Sequence, residues 1–235
     1  MMSNYKIAGL RVKMDSFGKT VTQAEAYRCE PFATADIEIR SNWQALKKIA
    51  PHLSDESCEY LSTGSSFYRQ LLDFNGMLLH SSAVMMDGKA YLFTAPCGTG
   101  KSTHTQLWLR VFGDRAKILN DDKPALRLEN GIWYAYGTPW SGKTDQNINE
   151  KVPLAGICVL GRGAENQICP YGGATAVHDI LEQTARSADA AFMVKLLELL
   201  DKLVTAVPVW KLKCNMDPQA AVVSHSAMSG EGKGV

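Results

Sequence analysis

Tyr91 to His104 reads YLFTAPCGTGKSTH: a short apolar strand, a tight glycine-bearing loop and the start of a helix. Gly100-Lys101-Ser102 match the end of the phosphate-binding pattern G-x-x-x-x-G-K-[ST], and Ala95 stands where the first glycine is usual. The physical logic survives that exchange. Gly98 and Gly100 let successive N–H groups turn inward, and those donors together with a helix N-terminus form an anion site. Residues Ala95, Pro96, Cys97, Gly98, Thr99, Gly100, Lys101, Ser102 and Thr103 are therefore expected to wrap a polyphosphate. Lys101 should reach the terminal phosphates, and the Ser102 hydroxyl should bind Mg²⁺. Cys97, next to a helix N-terminus, reads either as a reactive thiol or as a small loop residue.

On either side of this loop lie the residues that give it chemistry. The strand after its helix, Ala116 to Leu119, ends on Asn120-Asp121-Asp122-Lys123. Adjacent acids at a strand end permit two roles, one holding a metal and one taking a proton. Before the loop, Met77 to Met86 reads as one strand with His80 in its middle, followed by an Asp87-Gly88 turn and the strand Lys89 to Thr94. Further on, Tyr136 to Lys143 (YGTPWSGK) is a loop punctuated by glycine and proline that ends in a cation. Lys143 is placed there to close over phosphates or hold an acceptor, with a rigid loop around a packed Trp140 as the alternative. Arg162, in Gly161-Arg162-Gly163 at the end of a buried strand, is a candidate to steady transition-state charge.

The rest of the chain supplies alternating strands and helices. Tyr5 to Val12 and Asp36 to Arg40 show the two-residue alternation of strands. Ser41 is placed as the cap of a helix through Trp43, Leu46 and Ile49, and a second helix passes Phe67 and Leu71. A hairpin is expected around Asn130-Gly131 and a buried strand over Val152 to Leu160. Two helical pieces follow between Thr175 and about Val207, then a strand from Pro208 to Cys214. Asp217 should cap a last helix with Pro218 in its first position. The expected layout is α/β: a mixed-sheet core over residues 76–228, a small N-terminal α+β module over 1–75, and a flexible tail over 229–235.

Composition narrows the functional classes. In 235 residues, 25 Lys and Arg nearly cancel 24 Asp and Glu, leaving a net charge of +1. No bulk attraction to nucleic acid or to a membrane surface follows from that balance. The start, MMSNYKIAGLRVKMD, lacks the apolar block of a signal peptide, and the longest apolar runs are strand-sized. A cytoplasmic protein with no nucleic-acid or membrane partner is expected. Six cysteines, at positions 29, 58, 97, 158, 169 and 214, form no C-x-x-C pair and read as reduced thiols.

Residues 77 to 128 resemble the P-loop nucleotide-binding core shared by HPr kinase/phosphorylase and ATP-dependent phosphoenolpyruvate carboxykinase. The resemblance rests on His80-Ser81-Ser82-Ala83, Asp87-Gly88, the loop Cys97 to Thr103 and Asp121-Asp122. The wider layout, including Val207-Pro208-Val209-Trp210, is similar to small HPr-kinase-like proteins found beside peptide-modification genes, some of which phosphorylate peptide serines. The resemblance implies that Asp121 helps bind Mg²⁺ with Ser102 and that Asp122 is the base. It places His80 beside them as a metal ligand or electrostatic partner. The implied activity is a kinase using ATP or GTP with Mg²⁺ on a peptide, protein or small-molecule hydroxyl; homo-oligomerisation is left open. Two alternatives remain at this point: a non-catalytic nucleotide-binding regulatory module, and a carboxykinase-like enzyme acting on a metabolite.

Overall fold

The structure is a computed structural model and describes residues 2–230. It opens with β1 (Ser3–Ile7) and β2 (Leu10–Asp15), joined by a two-residue turn in which Ala8 and Gly9 both have positive φ, 50° and 78°. The expected single strand from Tyr5 to Val12 is thus a hairpin. Ala8 gives no turn signal, but the left-handed pair is what a two-residue hairpin needs. Helix α1 (Gly18–Ala24), β3 (Ile37–Arg40), α2 (Trp43–Ile49) and α3 (Asp55–Leu71) follow. The α2 cap position is Asn42, one residue beyond the expected Ser41. Ser54 caps α3, its hydroxyl accepting from the Ser57 N–H at 3.1 Å.

The expected strand from Met77 to Met86 is broken. β4 (Gly76–Leu78) pairs with β8 (Ala125–Glu129), whereas β5 (Ser81–Met86) pairs antiparallel with both β6 (Lys89–Thr94) and β7 (Ala116–Asn120). Leu79 and His80 form the crossing between these two neighbourhoods. Off the ladder, His80 donates its N–H to Gln183 O at 2.7 Å, and its carbonyl accepts from Thr94 Oγ1 at 2.9 Å. Both backbone groups are therefore satisfied without strand pairing. Helix α4 (Lys101–Phe112) joins β6 to β7, and β8 turns at Asn130-Gly131 into β9 (Ile132–Tyr136).

A 12-residue strand, β10 (Lys151–Arg162), stitches the large sheet together. It pairs with β9 at its start, runs parallel to β6 along its middle, and runs parallel at its end to the last strand, β12 (Val209–Cys214). Between them come β11 (Gln167–Pro170), α5 (Gly173–Leu181) and α6 (Ala190–Ala206). β11 has no counterpart in the sequence reading; its four residues end in a proline and pair only with β12. Asp189 caps α6, accepting from the N–H groups of Ala191 and Phe192. The last helix, α7 (Gln219–Ser229), receives the expected Asp217 contact, 2.7 Å from the Gln219 N–H, with Pro218 at the cap position rather than inside the helix. The expected flexible tail begins too early: Ser229 is helical and Gly230 closes the helix at φ 81°, while residues 231–235 lie outside the described residues.

The central strands bury both faces, which explains their near-continuous apolar runs. Along β6, Ala90 and Leu92 face a cluster with Leu196, Leu199, Leu200 and Leu203 of α6, while Tyr91 and Phe93 face Leu107 and Trp108 of α4 and Ala221 of α7. The result is a mixed α/β sheet sandwiched between α6 and the α4–α7 pair. A third cluster joins the N-terminal strands to α3 and to the edge of the large sheet: Val12, Ile37, Phe67 and Leu71 pack with Ala125, Tyr136 and Trp140. Trp140 stacks on Phe67 with ring centres 4.9 Å apart.

One group inside this third region is costly. Glu59 of α3 is fully buried; one carboxyl oxygen accepts from the Thr20 hydroxyl and the other has no hydrogen-bond partner among the described residues. Burial pushes its pKa up to about 7, with the Thr20 hydrogen bond opposing that rise. In the unfolded chain the proton leaves near the ordinary value of 4.5. Between the two values the unfolded state binds fewer protons, so stability falls as pH rises through this window and stays reduced above it. Glu59→Gln should therefore raise Tm relative to the wild type more at pH 8 than at pH 4.5. Thermal melts at the two pH values decide it, and an equal gain at both would mean the acid is ionised throughout.

Candidate functional site

The strand order brings the sequence-predicted residues to one end of the sheet. β5 lies between β6 and β7 and runs against both. Its first residues therefore sit beside the last residues of its neighbours: Ser81 opposite Thr94, and Ala83 opposite Asn120. The loop after β6, the acids after β7 and His80 before β5 meet there. β10 runs parallel to β6, so its terminal Arg162 arrives at the same end.

The glycine-rich loop is set by its backbone. Gly98 and Gly100 have φ of 78° and 120°, conformations that side-chain-bearing residues rarely adopt. A Cβ at either position would meet nothing within 4 Å, so conformation rather than crowding requires glycine. Gly100 is the cap residue of α4, whose first turn opens toward the loop. Lys101 is 8% exposed and donates to Ala95 O at 2.9 Å, lying back across the loop. Burial lowers its pKa, while Asp122, Cys97 and Asp121 act in the opposite sense, so the acids lie near the ammonium. Arg162 Nη2 donates to Gly98 O at 2.6 Å, so a second cation braces the loop from β10. A cleft of about 500 Å³ adjoins the loop, lined among others by Thr103, Leu107, Leu160 and Met216. Cys97 is exposed.

The acidic turn is shaped by Asn120, a residue the sequence reading passed over as a strand end. Its buried amide uses all its capacity. Nδ2 donates to Thr138 O and Thr138 Oγ1, and Oδ1 accepts from the N–H groups of Asp122 and Lys123 at 3.0 and 2.7 Å. Asp121 is buried and carries two hydroxyl donors, Ser82 Oγ at 2.5 Å and Thr144 Oγ1 at 2.7 Å. Ser82 also lies 2.8 Å from Thr105 of α4, which ties Asp121 to the helix of the loop.

Asp122 is held differently. His80 Nε2 lies 3.0 Å from its Oδ1, and Lys123 Nζ contacts its Oδ2. Burial alone would raise its pKa; the contacts with His80 and Lys123 outweigh it and hold the carboxyl at about 2. Gln183, from the turn after α5, fixes the other side of the imidazole, its Oε1 3.2 Å from Nδ1. Neither Gln183 nor Thr144 belongs to a sequence motif, and only the fold could name them. Ser102 is the second residue of α4, its carbonyl accepting from Thr105 Oγ1 at 3.1 Å, whereas Lys143 lines a separate cleft with Lys19, Tyr60 and Asp122, on the face of the acids toward α3. Among the described residues, no group of three or more His, Cys, Asp and Glu side chains forms a ready metal cage, and no helix is long and apolar enough to cross a membrane.

A model of the family described as SynChlorMet cassette protein ScmC matches residues 53–219, well over half of the chain. The chain belongs to the ScmC family. The ScmC match spans α3, the glycine-rich loop, both acids and Arg162, and leaves β1 to β3 outside it. No curated protein matches this ScmC sequence. Among solved structures, the Hpr(Ser) kinase/phosphatase from Coxiella burnetii is similar at 12% identity with a TM-score of 0.39, over 66% of this chain and 97% of that one.

Removing the amide that shapes the acidic turn tests how the ScmC site is built. Asn120→Ala orphans the Asp122 and Lys123 N–H groups and the Thr138 carbonyl, and a buried group left unsatisfied costs about 1–3 kcal/mol. Urea denaturation should register a loss of at least that size; an unchanged midpoint would mean the turn is held by other contacts.

Proposed function

We propose that this chain is a Mg²⁺–nucleotide-dependent kinase that transfers a phosphoryl group to a hydroxyl of a peptide, protein or small molecule. The observation that supports this most is the meeting, at one sheet end, of a glycine-rich anion loop, two cations and two acids in different surroundings. The loop is read as a P-loop. Its N–H groups and the start of α4 would hold the phosphates of ATP or GTP, and the nucleoside would occupy the adjoining cleft. Lys101 and Arg162, now resting on loop carbonyls, would exchange those contacts for phosphate oxygens.

Magnesium fits the residues present. It favours hard oxygen donors and is usually held by one or two carboxylates together with substrate phosphates rather than by an all-protein cage. Asp121 and the Ser102 hydroxyl would hold it, and its charge would offset that of the phosphates. Ser82 and Thr144 would fix the Asp121 carboxylate. Asp122 would orient the acceptor hydroxyl and take its proton as the acceptor oxygen bonds to the γ-phosphorus and the diphosphate oxygen leaves. A carboxyl held at about 2 is a weak base. That suits a loose transition state, in which the nucleophile keeps its proton until late and then needs an acceptor in place to take it. His80 and Lys123 would keep Asp122 ionised and aimed.

The same clamp favours a second reading, a nucleotide-binding module without turnover, because both Asp122 oxygens are already engaged. Substitutions separate the two. Lys101→Ala should abolish calorimetric binding of Mg·ATP while leaving the circular dichroism spectrum intact. Asp122→Asn should keep nucleotide affinity within a few-fold yet cut turnover by roughly 10²–10⁴, the range for losing a general base. Equal turnover in the Asn variant and the wild type would remove Asp122 from the chemistry.

A further inference from the structure

The acceptor side of Asp122 has its own architecture, and this inference rests on the kinase reading above. Two cavities lie between α3 and the large sheet, sharing Tyr60 and Leu61 as a common wall. The first, about 350 Å³, contains Asp122 and is lined by Lys19, Ser54, Ser57, Gly142 and Lys143. The second, about 180 Å³, lies on the Lys123 side and is lined by Tyr68, Leu78, Trp140 and Ala185. The Asp122 carboxylate therefore borders the first cavity, its neighbour Lys123 borders the second, and Tyr60 and Leu61 separate two subsites of opposite character.

Charge and size define what each can hold. In the first cavity Lys123 and His80 already answer Asp122, and Glu56 is the remaining acid. Lys19 donates to the Gly142 carbonyl, a neutral partner, and Lys143 is exposed with no carboxylate partner among the described residues. Two lysines against one glutamate leave the lining of this subsite cationic, with Asp145 acting on Tyr60 from outside that lining. The second cavity is bounded chiefly by aromatic and aliphatic groups, and its volume is close to the ~150 Å³ that accommodates one benzene-sized apolar group. Between them Tyr60 is fixed: its hydroxyl accepts from the Gly142 N–H at 2.9 Å, and Lys123 lies 5.2 Å from its ring centre. A compact metabolite would use one subsite; an extended chain crossing Tyr60 uses both.

We infer that the acceptor is a peptide serine or threonine flanked on one side by an acidic residue, held by Lys143 and Lys19, and on the other by an apolar residue seated against Leu61, Leu78 and Ala185. The experiment is a positional-scanning library of peptides with a fixed central serine, phosphorylated with labelled ATP by the wild type, Lys143→Glu and Leu61→Asp. The wild type should select an acid on one side and an aliphatic or aromatic residue on the other. Lys143→Glu should shift the acidic preference toward Lys and Arg by roughly tenfold in kcat/KM, the scale of one ion pair reversed. Leu61→Asp should erase the apolar preference. Phosphorylation without flanking preference, or preferences unchanged in both variants, overturns the inference and leaves the kinase reading standing. So does a loss of nucleotide affinity in Lys143→Glu with peptide selectivity intact, which would put Lys143 on the phosphates. If the wild type phosphorylates no peptide the inference also falls, and calorimetry with Mg·ATP then separates the cases: absent binding removes the kinase reading as well.

Discussion

The antiparallel seat of β5 between β6 and β7 is the constraint from which the site follows. Had the chain paired β6 directly with β7 in parallel, the loop and the acids would still share a sheet end, but His80 and Ser82 would have no reason to be there. With β5 inserted the other way up, its start is delivered to the ends of both neighbours. Ser82 then reaches Asp121 and Thr105 in one step, and His80 reaches Asp122. The break at Leu79-His80 belongs to the same constraint, because β4 is committed to β8 and the chain must cross before β5 begins.

The two acids share a turn yet occupy different electrostatic worlds. Asp121 is met by two hydroxyl donors, those of Ser82 and Thr144. Asp122 meets an imidazole and an ammonium, and its proton affinity is depressed although it is largely out of water. Asn120 makes this division possible by spending its entire amide on the turn, so neither acid has to satisfy the backbone. Lys101 and Arg162 illustrate the same economy: each cation is parked on a carbonyl of the loop, a contact that an anion can replace without leaving a carboxylate bare.

Much of this was legible in the sequence, for local reasons. The loop, its helix, the Asp87-Gly88 and Asn130-Gly131 turns and the Asp217 cap are encoded within a few residues, and they lie where their chemistry placed them. What was not legible depends on distant partners. Ala8-Gly9 turns because the strands on either side pair, not because Ala8 favours it. His80 looked like the middle of a strand because Met77 to Leu79 before it and Ala83 to Met86 after the two serines read as one run, with a break that only sheet pairing reveals. Gln183 and Thr144 touch site residues across long stretches of sequence, and no spacing rule points to them. Lys143 was expected to close over phosphates or hold an acceptor, and which cleft it lines was decided by where the loop after β9 travels.

That loop has a consequence for how the chain can be divided. Within a few residues it stacks Trp140 on Phe67 of α3, packs Gly142 against Asp122 and sends Thr144 to Asp121. Any recombination that exchanged or trimmed the first 75 residues would leave an indole facing solvent and slacken the very segment that touches both acids. Helix α3, with Lys19 of α1, is thus better regarded as a wall of the candidate site than as cargo, and homologous swaps in this region should not be joined at the start of the large sheet.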